Sequence, residues 1–558
     1  MKILGISAFY HDSAAAIIID GNIIAAAQEE RFTRIKHDHS FPSNAIKFCL
    51  DFANISLNDI DAIAFYDKPL LKFERLLETY YEYSPKGIIS FINAIPVWIK
   101  EKLFLKNIIY KNLNNIQHSN KRFKILFPEH HLSHAASSFF PSNFNSAAII
   151  TIDGVGEWAT TTISDAIDNN ITLIKEQRFP HSLGLLYSAF TYFLGFVVNS
   201  GEYKLMGLAP YGIPNSQNVK NYTNLIYNNI IDVKDDGSIW LNQQYFNYAT
   251  GLRMINEKKW ENIFQMKRRK PDDQLLQHHC DLALAIQNVT EDIIIKLAKE
   301  TKKITNQKNL CLAGGVALNC VATGKLLKTN IFDNIFIQPA AGDAGGAIGT
   351  ALAAYHIYFK KPRIKSNLPD LMNGAYLGPQ YSENDILKTI NKYNAIAQKY
   401  NDFDHLCDIT ADLIAEGKVI GWFQDRMEFG PRALGNRSII GDARNKDMQK
   451  KLNLKIKFRE GFRPFAPSVL FEDTENFFDI NTPSPYMLIV APVKENHRCK
   501  LPDNYYQLPL MERLYIQRSD IPAITHIDFS ARIQTVHKET NPKYWTLINK
   551  FKEKTGYG

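Results

Sequence analysis

The chain has 558 residues, 45% hydrophobic and 22% charged, a composition that excludes a disordered, collagen-like or small disulfide-stapled protein. At about 150 residues per domain, the length points to roughly three or four structural units. A formal net charge of +8 is dispersed along the chain rather than gathered on one face, so no nucleic-acid partner is expected.

Met1 runs straight into KILGISAFY, a strand-like segment with no secretion signal before it. The six cysteines are scattered without a Cys-x-x-Cys pair, which reads as reduced thiols and a cytoplasmic setting. The segment continues as a strand, a polar tip at His11-Asp12-Ser13, and a hairpin turned at Asp20-Gly21-Asn22. The longest apolar tract, from Gly87 to Leu105, is broken by Pro96, Lys100, Glu101 and Lys102. It falls short of the ~20 apolar residues a bilayer span requires, so a helix and no membrane association are expected.

FPEHHLSHAASSFF, from Phe127 to Phe140, reads as a Pro-led helix start. A second copy of the opening plan follows, in which Ile149 to Ile152 run into Asp153-Gly154-Val155-Gly156 and then another strand. The repeat is too long for a solenoid and predicts two similar lobes. The segment from Asn215 to Gln277 is polar and weakly periodic, and gives little. NLCLAGGVALNCVATGKLL predicts a strand ending at Gly314-Gly315, then a helix carrying Ala317, Leu318 and Val321 in register. FDNIFIQPAAGDAGGAIGTALAAYHI predicts a strand, a glycine turn from Gly342 to Gly346, and an Ala-rich helix. Two prolines and clustered basic residues from Phe359 to Gly374 mark a boundary, giving an expected division into 1–360 and 361–558. Beyond it come a helix from Glu383 to Lys392, a helix-strand unit, and a loop rich in Gly, Pro and Arg.

Three constellations carry chemistry. His130 and His134, at i and i+4, share a helix face and could hold one metal ion, although such a pair also arises as ordinary packing. Asp153 and Asp343 both fall at expected strand ends, where ligands bind in α/β sheets, and a His/His/Asp/Asp set suits Fe(II), Mn or Zn. The turns at Gly314-Gly315, Gly342, Gly345-Gly346 and Gly349 would let backbone N–H groups approach phosphate or a nucleoside, with no Walker lysine after them. Arg426, Arg432, Arg437, Arg444, Arg459 and Arg463 are interleaved with glycine, proline and aromatics, which favours a pocket for a polyanionic small molecule over a solvated surface.

Taken with GISAFYHDSAAAIIIDG, EERFTRIKHDHSFP, HHLSHAASSFFPS, IDGVGEW, SGEYKLMGLAPYG, LAGGVALNCVATGKL, AAGDAGGAIG, FGPRALGNRSI and FREGFRPFAPSV, these residues make the chain resemble the NodU/CmcH-type O-carbamoyltransferases over almost its whole length. The resemblance implies an α/β fold: a duplicated actin-like ATPase (actin/sugar-kinase) domain followed by a YrdC-like α/β domain. It implies a metal site, with iron, on His130, His134, Asp153 and Asp343. His131 is left as a supporting or structural histidine. It places a carbamoyl phosphate and adenylate pocket on Arg432, Lys457 and Arg463, with Lys36 and Arg532. Gly314, Gly315, Asn319 and Gly342 are its nucleotide-binding candidates.

The implied reaction uses carbamoyl phosphate and ATP to make carbamoyl-adenylate. The carbamoyl group then passes to a small-molecule hydroxyl, with Fe(II) or another divalent metal as cofactor and Mg left open. His11 or Asp12 is the candidate for assisting deprotonation of that hydroxyl, against a purely turn-shaping role. Glu202, Tyr203 and Lys204 are expected in the same cleft. A homodimer stays open. The rival readings are a small-molecule kinase of the same superfamily and a non-enzymatic nucleotide-gated binding protein.

Two departures from the family pattern stand out. Asp528-Phe529-Ser530-Ala531-Arg532 has Phe where the family has Gly, which strains the turn if that position needs φ > 0. The chain also ends at Thr555-Gly556-Tyr557-Gly558, before a segment that family members carry, and the expectation is a truncated C-terminal part.

Overall fold

The computed structural model describes residues 1–99, 103–119, 121–363 and 368–558. Lys100, Glu101 and Lys102 of the apolar tract lie outside them. The chain divides into two compact units, Met1–Met372 and Asn373–Gly558, a division that falls inside the Phe359–Gly374 stretch.

The first unit holds two five-stranded sheets. In the first, β1 (Lys2–Ser7), β2 (Ala14–Ile19), β3 (Asn22–Gln28), β4 (Ala62–Phe65) and β5 (Lys124–Leu126) lie in the order β3-β2-β1-β4-β5. The second contains β6 (Ser146–Ile152), β7 (Ala159–Ile167) and β8 (Asn170–Arg178). After a small hairpin of β9 (Ile231–Val233) and β10 (Ile239–Leu241), it adds β11 (Asn309–Ala313) and β12 (Asn334–Ile337) in the order β12-β11-β6-β7-β8. In each sheet the first strand pairs antiparallel with the second and parallel with the fourth. The same topology occurs twice, as the repeated strand-turn-strand pattern predicts. Asp20 and Gly21 both take positive φ, 48° and 85°, the conformation that closes a two-residue hairpin.

Each sheet is followed by a helix that packs on the other. The His130–Phe139 helix, which follows β5, packs on β6, β7 and β11. The Asp343–Ala353 helix, which follows β12, packs on β1, β2 and β4. The two helices also pack tightly on each other. A Cβ at Gly349 would sit 1.8 Å from the Ser133 carbonyl oxygen, and one at Gly5 of β1 would sit 1.9 Å from the Ala347 carbonyl oxygen. Glycine is required at both by close approach, not by a turn.

The expected glycine turn from Gly342 to Gly346 is thus corrected. The helix begins at Asp343 and includes Gly345, Gly346 and Gly349; a Cβ at Gly345 would lie 2.1 Å from the Ala340 carbonyl oxygen, and one at Gly346 3.1 Å from Tyr66 Cβ. A second difference concerns the segment after Gly314. A 3-10 turn, Gly315–Leu318, comes first, and the α-helix starts at Cys320 once the Asn319 side chain caps the Ala322 N–H.

Between β4 and β5 lie helices at Pro69–Glu82, Ile88–Trp98 and Leu105–Ile116. Among the described residues, no helix is long and apolar enough to cross a membrane.

The second unit contains an antiparallel pair, β13 (Ile420–Phe423) with β14 (Arg437–Ile440). It also has a mixed sheet β15-β17-β16, formed by Ser468–Leu470, Ser530–Val536 and Ile489–Pro492. Helices Phe403–Ala415 and Pro542–Thr555 pack together around a core that includes Cys407, Trp422, Val536 and Leu547. Phe529 adopts φ +63°, so the left-handed turn that glycine favours is made here by an aromatic.

Candidate active site

The His130–Phe139 helix is buried along almost its full length, although six of its ten residues are polar. It tolerates this because its hydroxyls bond back to nearby carbonyls: Ser133 to Tyr66, Ser137 to His134 and Ser138 to Ala135. At its N-terminus both carboxylate oxygens of Glu157 accept the His130 N–H at 3.1 Å. Glu157 also accepts the Lys68 N–H at 2.7 Å, so the IDGVGEW turn fixes where the helix starts.

Four side chains converge there. Asp153 leaves the end of β6, and Asp343 opens its helix. The His130 Nε2 lies 2.9 Å from Asp153 Oδ2 and 3.1 Å from His134 Nε2. The His134 Nε2 lies 3.4 Å from Asp153 Oδ2, and both imidazole nitrogens stand 3.8 Å from Asp343 Oδ1. All four ligand atoms lie within 4.8 Å of one another. His130, His134 and Asp343 are at most 2% exposed.

The electrostatics are divided. Burial, with His134 alongside, holds the His130 imidazole well below its usual range, so it is neutral. Burial alone would raise Asp153, but hydrogen bonds from His130 and His134 outweigh it and keep that carboxyl well below the ordinary range. Burial raises Asp343. The neutral His130 imidazole and the ionised Asp153 carboxylate are in the protonation states in which such groups bind a divalent cation. The histidine nitrogens lie 2.9–3.8 Å from the other ligand atoms, a clustering around one point that suits a single ion.

His131 stands aside, with Nδ1 2.6 Å from Thr151 Oγ1, and burial lowers its pKa to about 4. His11 reaches the centre from the β1–β2 connection, its Nε2 3.7 Å from Asp343 Oδ2. Burial would lower the His11 pKa, but Asp343 and the hydrogen bond to Asp12 outweigh it and raise it to about 9.

The other expected residues separate. Lys36 Nζ donates to the Tyr203 hydroxyl at 2.8 Å. The Glu202 carboxylate is taken by Ser188, Asn199 and Gly201, a local structural role rather than an open place in a cleft. Gly314, at φ +89°, and Gly315 flank Asp153, whose Oδ1 accepts the Gly315 N–H at 3.2 Å. A Cβ at Gly342 would meet nothing within 4 Å, so open space faces it. Asn319 is 8% exposed, and its carboxamide is occupied by Gln287 and by capping its helix.

In the second unit, burial and the charges of Arg459, Arg463 and Arg437 lower the Lys457 pKa, placing these cations in one electropositive neighbourhood. The Arg532 Nε, on β17, is buried and finds no acceptor among the described residues. Several of the six loop arginines are held by partners in their own unit, Arg459 donating its Nε–H to Asn453 Oδ1 at 2.7 Å. Arg426 donates to the Gly378 and Leu377 carbonyls, and Arg444 pairs with Asp442.

The loop bearing Arg432 folds around Glu428, which sequence reasoning missed. Glu428 is 1% exposed, and its Oε1 accepts the N–H groups of Leu434, Asn436 and Arg437 at 2.7, 3.0 and 3.2 Å. An acidic residue inside a run of arginines and glycines was the available signal. Glu157, in IDGVGEW, was missed in the same way.

Comparison with known proteins places the chain in a family. A model of the carbamoyltransferase N-terminus matches residues 2–352, and one of the carbamoyltransferase C-terminus matches residues 411–558. An uncharacterized protein of Synechocystis is 54% identical, covering 100% of this chain and 90% of that one. Nodulation protein NolNO of Sinorhizobium fredii is 36% identical over 98% of this chain and 73% of its own. The 3'-hydroxymethylcephem-O-carbamoyltransferase of Streptomyces clavuligerus is 29% identical over 55% of this chain and 53% of its own. Among solved structures, HypF of T. kodakarensis aligns with a TM-score of 0.33 and 13% identity, over 64% of this chain and 48% of that one. With both of its parts matched and relatives aligned along its length, the chain belongs to the carbamoyltransferase family.

Proposed function

We propose that the protein carbamoylates a hydroxyl group of a small molecule, using carbamoyl phosphate and ATP through carbamoyl-adenylate. The observation that carries this reading is the convergence of His130, His134, Asp153 and Asp343, with His11 beside them. A divalent metal, iron by family resemblance, would be held by those four side chains and would supply Lewis-acid polarisation of the group under attack.

The cations of the second unit, Lys457 and Arg463 with Arg432 and Arg532, bind the phosphates and offset their charge as the mixed anhydride forms. One water is consumed, and phosphate and pyrophosphate are released. We read this unit as YrdC-like. In the first unit the acceptor hydroxyl attacks the carbamoyl carbon, the bond to the adenylate oxygen breaks, and AMP leaves. His11 is the residue placed to take the hydroxyl proton at Nε2, and a cation held by the four side chains would offset the charge of Asp343 that otherwise keeps His11 protonated. Incubation with ATP and labelled carbamoyl phosphate tests the reading. AMP and pyrophosphate are expected, whereas ADP formation would establish a kinase instead.

A further inference from the structure

The segment from Glu30 to Ser40 carries no assigned role beyond Lys36, yet it is fastened at nearly every residue. The Asp38 carboxylate accepts the Thr33 hydroxyl at 2.7 Å, the Ser40 N–H at 2.9 Å and the Ser40 hydroxyl at 2.6 Å. Backbone bonds join Ser13 to Asp38 and Phe9 to His39, which tie the segment to the β1–β2 connection on both sides of His11. Inside this frame the His37 N–H donates to Glu30 Oε2 at 3.0 Å. His37 Nδ1 lies 2.8 Å from Asp12 Oδ1, while the other oxygen of Asp12 lies 2.9 Å from His11 Nδ1.

An ionised carboxylate only accepts, so both Nδ1 atoms carry the shared protons and donate. The result is a line of groups running from Glu30 through His37, Asp12 and His11 to Asp343. Phe9, Asp12 and His37 all hold left-handed backbone, at φ 71°, 52° and 57°. Such conformations persist only where the surroundings over-determine them.

We infer that His37 is a positioning residue: by gripping one oxygen of Asp12 it fixes the carboxylate whose other oxygen turns His11 so that Nε2 faces the His/Asp centre. This rests on the proposed role of His11. The logic is that of any histidine whose remote nitrogen is held by a carboxylate, here with the carboxylate itself held by a second imidazole. Asp12, Glu30 and His37 also form a cluster whose ligand atoms could surround a cation. However, both Asp12 oxygens bond imidazoles, and the Glu30 oxygens bond Arg31 and the His37 N–H. The arrangement is therefore already satisfied as a hydrogen-bonded chain.

Two variants separate positioning from packing. His37→Leu keeps bulk and removes the donor, whereas His37→Asn keeps a donor near the place of Nδ1. Histidine 15N signals of the zinc-loaded protein, with His11 assigned through a His11→Asn control, report which His11 nitrogen is protonated. His37→Leu is expected to shift them, and His37→Asn to restore them. With water as the acceptor probe, AMP release is expected to fall about 10-fold in His37→Leu, as for lost supporting partners of histidine ligands, and to recover in His37→Asn. The initial burst of pyrophosphate should stay unchanged.

Unaltered His11 signals in His37→Leu would overturn the inference. So would equal losses of both stages in both variants, or metal analysis that finds a second ion lost with His37. If the parent protein forms no pyrophosphate from these substrates, the carbamoyl-adenylate reading fails, and the imidazole signals still decide the role of His37.

Discussion

His134 shows how much rests on single side chains at the centre. Its Nε2 lies within 3.8 Å of all three other candidate ligands, so His134→Ala removes one donor of four and opens a buried void. Metal bound per chain after purification is expected to drop at least about 10-fold while the far-ultraviolet circular dichroism is retained. In the second unit, Arg463→Lys keeps charge and loses the planar fork. Charge-assisted bonds of about 1.5–3 kcal/mol translate into a roughly 10- to 100-fold loss of pyrophosphate formation, measured with carbamoyl phosphate and ATP.

A third expectation concerns acid. His356 is 3% exposed, and its Nδ1 lies 3.0 Å from the Lys361 carbonyl, to which it donates. Burial lowers its pKa from 6.5 to about 4. The folded state therefore prefers neutral His356, and the stability it contributes is complete above pH 6.5 and is lost as pH falls toward 4. The loss is about 3 kcal/mol. Urea titrations across that range should show a flatter decline for His356→Asn than for the parent.

At this scale the sequence was legible where spacing is local, as with His130 and His134 on one helix face. It was illegible where a role depends on what folds alongside, as with Glu157 capping that helix and Glu428 gathering three amides. Nothing in a glutamate's sequence position distinguishes it from a solvated one until the loop closes around it.

Elements carry a different lesson. Glycine within a helix ordinarily costs about 1 kcal/mol relative to alanine, so Gly349→Ala would stabilise an exposed helix. Here the new methyl group would lie 1.8 Å from the Ser133 carbonyl oxygen, and backbone has to move. Overpacking of this kind costs typically about 1–3 kcal/mol, and it displaces the helix that carries both histidines. Lower thermal stability together with weaker metal retention is expected. Gly154→Ala, whose nearest neighbour is the Leu185 side chain at 3.9 Å, should be mild by the same two measurements.

The same packing explains the misread turn. A run of glycines announces either a turn or a tight contact, and the two look alike until the partner is known. The Asp20-Gly21 hairpin, by contrast, depends on neighbours in sequence and was readable. The Phe529 position was readable for the same reason, because a local conformation of φ +63° follows from the turn itself. Phe529→Gly tests it: relief of left-handed strain of about 1–3 kcal/mol competes with loss of the Arg498 guanidinium contact, 5.2 Å from the ring. The net change in thermal midpoint is expected to be upward.

At the level of the whole molecule, the units Met1–Met372 and Asn373–Gly558 each own a core. Differential scanning calorimetry should resolve two unfolding steps, and Gly349→Ala should lower only the one that belongs to the first unit. The duplication itself was visible from two copies of one strand-turn-strand pattern. Its handling of helices was not, since no local signal says which sheet a helix will cover.

That exchange of helices has a consequence for how the protein can be divided. Each lobe of the first unit lends its helix to the other: His130–Phe139 leaves the first sheet to cover the second, and Asp343–Ala353 makes the return crossing. A gene fragment ending near Asn145 would encode a complete first sheet together with a helix meant for a sheet it lacks. It would also leave Gly5 and its neighbours bare where the missing helix belongs. Neither fragment is an independent folding module. Produced together, the pieces should reassociate as a split protein and rebuild the four-residue centre, since the two borrowed helices bring His130, His134 and Asp343 together beside Asp153 at the end of β6.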